Sequence, residues 1–298
     1  MPYKASTGDK VFDVFNYVFM ILLMFIMLYP LVYVISVSFS SPPYIDAQAI
    51  TFYPKGLNIN AYFYIFTETR DYVVFGYRNT IIYAAVNTVL MLLVTTLVAY
   101  ALSVTDFVLK KSVTIILSIT MFFSGGLIPT YLIIKSLHLL NTMWVMILPG
   151  CVSAYTVFVF RTFFQQLPVD LRESSLIDGA NDFFIWFRIT IPLSKPIIAT
   201  YSLFNIVGVW NSWFNALLYL QDEKLYPIQM FLRRIVVNMQ INSMYGNTQI
   251  ASMLAMGKVH TKNIQMAMIV ISLLPILFIY PFVQKYFMKG VLIGAIKG

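Results

Sequence analysis

Long uncharged runs alternate with short polar segments along this chain. Six stretches contain no Asp, Glu, Lys or Arg: Val14–Phe39, Ile81–Thr105, Ser112–Ile134, Leu139–Phe160, Ile197–Gln221 and Asn263–Gln284. Crossing a hydrocarbon core of ~30 Å takes about 20 helical residues, and each run is long enough. A soluble protein could bury one such run as a core helix, but six at nearly regular spacing form a membrane pattern. The pattern predicts an all-α membrane protein with six transmembrane helices, organised as a single domain over residues 1–298. Its longer polar intervals are expected as outer loops at 40–80 and 222–262.

One polar interval, 170–196, has an organisation of its own: D-L-R-E-S-S-L-I-D-G-A-N-D-F-F-I-W-F-R-I-T-I-P-L-S-K-P. Asp170 is placed to cap a helix starting at Leu171, with Glu173 three residues on as in a capping box. Gly179 supplies a low-cost helix stop, and Asn181 or Asp182 can cap a second helix. Leu176, Ala180, Phe183 and Phe187 recur at helical spacing, which gives an apolar face outside the bilayer. Ser174, Ser175, Gly179 and Ala180 are small and let another backbone come close. Pro192 and Pro196 suit a break just before the fifth span, although they also suit a simple membrane entry. The segment reads as a short bent helical knob offered to a partner protein.

The first run is roughly 26 residues, whereas a signal-peptide core has roughly 7–15, so a retained span is expected. With the N-terminus inside, the inner segments carry 11 of the 20 cations and the outer segments 9. The margin is small, but the inner segments are compact and the outer ones long, which favours both termini in the cytoplasm. That topology puts 170–196 in the cytoplasm.

Composition then narrows the chemistry. The chain is 59% hydrophobic and 11% charged, against roughly 25% charged in soluble domains. The net charge of +8 is accounted for by cations flanking spans, so no nucleic-acid partner is expected. Cys151 is the sole cysteine, which excludes a disulfide or a multi-cysteine metal site within the chain. His138 and His260 lie in separate outer loops without companions at metal-ligand spacing. No G-x-x-x-x-G-K-[ST] loop and no nucleophile–base constellation occurs, so no catalytic site or metal is expected. The spans lack the buried acids typical of ion-coupled carriers. Energy for transport would then enter from another subunit.

The residues Glu173, Asp178, Gly179, Ala180, Phe187, Ile189, Pro192 and Pro196 resemble the cytoplasmic signature of inner-membrane permease subunits of ABC importers, the motif named for Glu-Ala-Ala followed by Gly. Ser174 and Ser175 stand where the family has two alanines. The W-N-S-W-F-N stretch at 210–215 and the ending G-A-I-K-G are similar to maltose-type carbohydrate permeases. F-S-G-G-L-I-P-T-Y-L at 123–132, followed by H-L-L-N-T, resembles the branch importing oligosaccharides from polysaccharides. The resemblance implies a type I importer fold in the bacterial cytoplasmic membrane. Its expected partners are a second homologous permease subunit, two ATPase subunits that hold ATP and Mg, an extracellular or periplasmic solute-binding protein, and an oligosaccharide. It assigns Arg172, Glu173, Ser174, Ser175, Asp178, Gly179, Ala180, Pro192 and Pro196 to ATPase coupling, with no cofactor in this chain. It further implies that the outer loop at 222–262 touches the binding protein and that the tail 290–298 reaches between the ATPase subunits.

A sugar path needs groups that bond hydroxyls and stack on rings. Asn87, Asn205, Trp210, Asn211, Trp213 and Asn215 offer both. The tryptophans equally suit the interfacial aromatic belt, and any single asparagine equally suits helix–helix bonding. The alternatives are a permease for an amino acid, polyamine or peptide, and a membrane-embedded enzyme or channel without an ATPase.

Overall fold

The computed structural model describes the backbone of residues 7–237 and 256–295, and the side chains of 7–237 and 256–278. Residues 238–255 of the outer loop expected at 222–262 lie outside the described residues, as do the last three residues of the tail. Every regular element described is helical, and the chain divides into two compact units.

The first unit comprises 1–70 and 232–274. It holds α1 (Thr7–Ser38), α2 (Pro42–Asp46), α3 (Asn60–Thr67) and the start of the last helix, α15 (Thr261–Ala295). None of the apolar stretch of α1 is buried within the chain, so its surface is left for lipid or another subunit. The unit is pinned at the end of α1. Asn263 donates both amide hydrogens, to the carbonyls of Val37 and Ser40, each at 2.8 Å, and satisfies acceptors that a helix terminus leaves open. Val37, Ile45 and Ile50 form the small core beneath it.

The second unit comprises 71–231 and 275–298. Its long element is α4 (Arg70–Ser103). Then come α5 (Lys110–Phe122), α6 (Leu127–Ser136), α7 (Trp144–Ile147) and α8 (Ala154–Gln165). The cytoplasmic segment gives α9 (Val169–Ile177) and α10 (Asp182–Ile185), which continues as a π-helical turn over Trp186–Thr190 into α11 (Ile191–Leu193). The segment leads into α12 (Lys195–Trp210), followed by α13 (Phe214–Tyr219) and α14 (Ile228–Val237). A core of Ala99, Leu102, Val157, Phe160, Phe164, Ile185 and Trp186 clamps α4, α8 and the cytoplasmic segment together. Phe160 meets Phe164 edge-on at 5.9 Å and Tyr201 at 5.3 Å, a geometry aromatic quadrupoles favour.

Among the described residues, three helices are long and apolar enough to cross a membrane: α1, α4 and the described part of α15. The other three expected spans are interrupted, which corrects the reading of each as one helix. Ser112–Ile134 breaks between α5 and α6, where Phe123 is extended and Gly126 takes φ +81°. Leu139–Phe160 breaks at 148–153, where Gly150 takes φ +72°. Ile197–Gln221 stops at Trp210 and resumes at Phe214, at an Asn-Ser pair whose side chains compete with helical bonds. Absence of charge makes these runs look continuous because Gly, Ser and Asn carry none.

Candidate functional site

The cytoplasmic segment folds as an elbow. Pro168, with φ −57°, takes the cap position, so α9 starts at Val169, two residues earlier than expected from a cap at Asp170. Proline is preorganised for a helix start, and Asp170 sits in the first turn instead of capping it. The stop is as expected: Asp178 ends α9, and Gly179 follows at φ +83°. The Gly179 and Ala180 N–H groups donate back to the carbonyls of Leu176 and Ser175 at 3.0 and 2.9 Å. Asn181 then caps α10, its Oδ1 accepting from Phe184 N at 2.8 Å. Beyond the π-turn the chain bends by 81° into α12, with Pro192 in α11 and Pro196 in the first turn of α12.

The elbow presents an open surface. Glu173, Ser174, Leu176, Ile177, Asp178, Phe183 and Phe187 are exposed, whereas Ile185 and Trp186 anchor the segment in the core. Ser175 turns its hydroxyl back to the Leu171 carbonyl at 2.6 Å. A Cβ on Gly179 would meet nothing within 4 Å. The demand for glycine is therefore set by backbone sign, while the open space beside it leaves room for a partner.

Arg172 does not point free into solvent. It donates to Asp182 Oδ1 at 3.1 Å, and the Tyr100 hydroxyl donates to the same oxygen at 2.9 Å. Burial works against the Arg172 charge, but its hydrogen bonds to Tyr100 and Asp182 outweigh that and hold its pKa above the usual guanidinium value. Sequence reasoning missed Tyr100 and Asp182 as a pair, because 82 residues separate them.

Between α4, α8 and α12 lies a cavity of about 420 Å³. Of the six expected path residues, Asn87, Asn205 and Asn215 line it, joined by Ser153, Thr156, Tyr201, Phe204 and Ser212. Among the described residues, no acidic or basic side chain lines it. Asn87 is held at the wall: it donates to the Ile147 carbonyl at 2.6 Å and accepts from Asn205 at 2.8 Å. Asn205 also reaches Thr88 Oγ1 at 2.9 Å.

Trp210, Asn211 and Trp213 fall outside the lining. Trp210 is 3% exposed and tilts against Tyr77 at 6.1 Å. Asn211 accepts from Gln229 Nε2 at 3.3 Å, and Trp213 lies edge-on to Phe214. The overlooked lining residues Tyr201, Gly208 and Ser212 carried a signal. With Asn205 and Asn215 they recur at spacings of three and four, a stripe of polar and small residues along an apolar run.

An elbow exposed at the end of a span, with a polar cavity in the spans above it, is the arrangement of a transport subunit. The family described as "Binding-protein-dependent transport system inner membrane component" matches residues 82–293. The chain belongs to that family. It is the permease component of an ABC importer and resides in the inner membrane; it is a transporter subunit, not an enzyme.

This permease is 38% identical over 293 residues to Protein LplC of Bacillus subtilis (strain 168), covering 98% of this chain and 97% of the relative. It is 37% identical over 290 residues to the polygalacturonan/rhamnogalacturonan transport system permease protein YtcP of the same strain, covering 97% and 99%. A solved bacterial ABC transporter involved in the import of the acidic polysaccharide alginate contains a chain that superimposes with a TM-score of 0.89 at 29% identity. That match covers 96% of this permease and 100% of the other chain. The permease thus has the type I importer fold, and its dependence on a binding protein and an ATPase follows from the family.

Proposed function

We propose that this permease imports an oligosaccharide released from a polysaccharide, as one of two homologous membrane subunits. In this reading it crosses the membrane six times as a single permease domain, with both termini inside. The broken runs at 112–134, 139–160 and 197–221 each count as one crossing. Two ATPase subunits holding ATP and Mg dock from the cytoplasm, and a solute-binding protein delivers the sugar outside.

The observation that carries the substrate reading is the cavity. Its amides and hydroxyls match sugar hydroxyls, Tyr201 and Phe204 offer ring faces, and the site is neutral. A polar, uncharged wall in an apolar run costs free energy unless its groups are hydrogen-bonded, to one another as Asn87 and Asn205 are, or to a hydrated path or a solute. The transport systems of the relatives, which concern polygalacturonan, rhamnogalacturonan and alginate, also support a substrate derived from a polysaccharide.

Coupling in this reading runs through Arg172, Glu173, Ser174, Ser175, Asp178, Gly179 and Ala180 on the elbow. Pro192 and Pro196 fix the bend that passes its motion into α12. Asn205 and Asn215 on and beyond α12, with Asn87 opposite, then change their spacing around the sugar.

Co-purification from detergent with an ATPase and a second permease, followed by a calorimetric screen of the associated binding protein against a glycan panel, tests the proposal. Binding of an oligosaccharide by that protein supports it. Selective binding of an amino acid, polyamine or peptide overturns the sugar assignment, and a permease purified without any ATPase overturns the assembly.

A further inference from the structure

We propose that Tyr100 and Asp182 are positioning residues for energy coupling, forming a clasp through which the elbow moves α4 as well as α12. The inference rests on the elbow being the ATPase-coupling segment and goes beyond it, because neither residue is among those assigned to contact with the ATPase.

Three groups from three parts of the unit meet at one carboxylate oxygen. Asp182 opens α10, the second arm of the elbow, and its Oδ1 accepts from Tyr100 on α4 at 2.9 Å. Arg172, on the first arm, donates to the same oxygen at 3.1 Å. The clasp therefore bridges the Gly179 turn and ties both arms to a span. Tyr100 is 8% exposed and packed in the core with Phe160 and Trp186. Its ring is held in a core that also takes Ile185 and Trp186 of the elbow, and its hydroxyl adds the polar tie to Asp182.

The consequence follows from how α4 and α12 are joined. From Asn87 to Tyr100 the helix contains neither glycine nor proline, and 13 steps of about 1.5 Å place the clasp about 20 Å from the cavity wall. At that wall Asn205 of α12 donates to Asn87 and Thr88 of α4. Elbow, α12 and α4 thus close a triangle, with the bend at 193–195, the Asn205–Asn87 contact and the Tyr100–Asp182 bond at its corners. With the clasp made, the elbow cannot turn α12 without shifting α4, and the cavity between the two helices must change shape. With the clasp open, only the apolar packing of Ile185 and Trp186 still ties the elbow to α4, and α12 follows the elbow with less pull on α4.

Cys151, the only cysteine of the chain, lines this cavity and serves as a native reporter. The assembled complex with its ATPase is treated with N-ethylmaleimide, without nucleotide and after ATP–vanadate trapping, and alkylation of this chain is followed by mass. In the wild type, trapping should change the Cys151 rate several-fold. Tyr100→Phe keeps the ring and the fold; it should bring that ratio towards one while ATP hydrolysis continues. Asp182→Asn should act in the same direction, and the double variant should be no worse than the stronger single one. A wild-type ratio in Tyr100→Phe overturns the clasp, as does a parallel loss of hydrolysis and of assembled complex. Gly179→Leu separates the two layers of the argument. If it flattens the ratio while Tyr100→Phe does not, the clasp alone is wrong. If the wild type itself shows no nucleotide-dependent change at Cys151, the coupling reading fails and the clasp with it.

Discussion

Asn205 on α12 donates its amide to Asn87 Oδ1 on α4 at 2.8 Å, at the wall of the cavity. Its second donation, to Thr88 Oγ1 at 2.9 Å, doubles the tie between the two helices. In apolar surroundings an interhelical hydrogen bond contributes on average about 0.6 kcal/mol, because the unfolded chain in the membrane also finds partners. Asn205→Leu removes both bonds and leaves the Asn87 carbonyl oxygen without that donor. The expected result is a loss of about 1–2 kcal/mol, read as a lower midpoint for heat-induced aggregation of the detergent-solubilised complex. Transport should fall further than stability does, since the same change makes the cavity more apolar.

Gly179 takes φ +83° with open space around its missing side chain. A left-handed backbone costs most L-residues roughly 1–2 kcal/mol, and Asn is the mildest exception. Gly179→Asn should therefore keep the turn and retain most coupling. Gly179→Leu should express and insert, yet hydrolyse ATP with little sugar transport. Equal transport-to-hydrolysis ratios for the two variants would mean that the backbone sign at the elbow does not matter.

Much of this site was legible because its signals are local. The Gly179 stop, the Asn181 cap and the prolines flanking the bend all act through their own backbone neighbours. What the sequence did not yield depends on distant partners. Tyr100 reads as one more aromatic in an apolar run until Asp182 is brought to it. The tryptophans at 210 and 213 looked suited to sugar stacking, but a ring's chemistry does not say which helix face it occupies. The stripe from Tyr201 to Asn215 was visible in spacing, although absence of charge, by which the spans were recognised, does not register uncharged polar residues. The same insensitivity hid the three helix breaks.

Asn141 shows what a short motif can mean physically. It sits at φ +57° and donates its N–H to the Tyr219 carbonyl at 2.8 Å. Its side-chain oxygen accepts from Gln221 N at 2.9 Å and Asp222 N at 2.8 Å. It therefore fastens the turn before α7 to the end of α13. Asn141→Ala leaves two backbone donors without that acceptor and adds left-handed strain, at a cost of about 1–3 kcal/mol. Asn141→Asp should retain near-wild-type thermal stability, and a loss as large as that for Ala would contradict the capping role.

Gly76 marks a close crossing. A Cβ there would lie 3.1 Å from Ile228 Cα and 3.1 Å from the Phe231 ring. The nearby Thr80 hydroxyl accepts from Ile228 N at 2.9 Å, which holds α14 against α4. Gly76→Val should cost about 1–3 kcal/mol by overpacking, measured as reduced thermal stability of the purified complex, whereas Gly76→Ser should cost less. Unchanged stability in the Val variant would show that α14 can move aside freely.

The central claim is that this permease passes an oligosaccharide inward at the expense of ATP hydrolysed by a separate subunit. Proteoliposomes holding the permease pair and its ATPase, supplied with binding protein and a radiolabelled digest of polygalacturonan or of a neutral plant glycan outside and with ATP at the ATPase face, test it most directly. The account predicts accumulation of labelled oligosaccharide that stops when either ATP or the binding protein is omitted, and that falls steeply in Gly179→Leu while hydrolysis continues. Sugar entry that proceeds equally without ATP, or ATP-driven uptake of only a non-sugar solute, would contradict it.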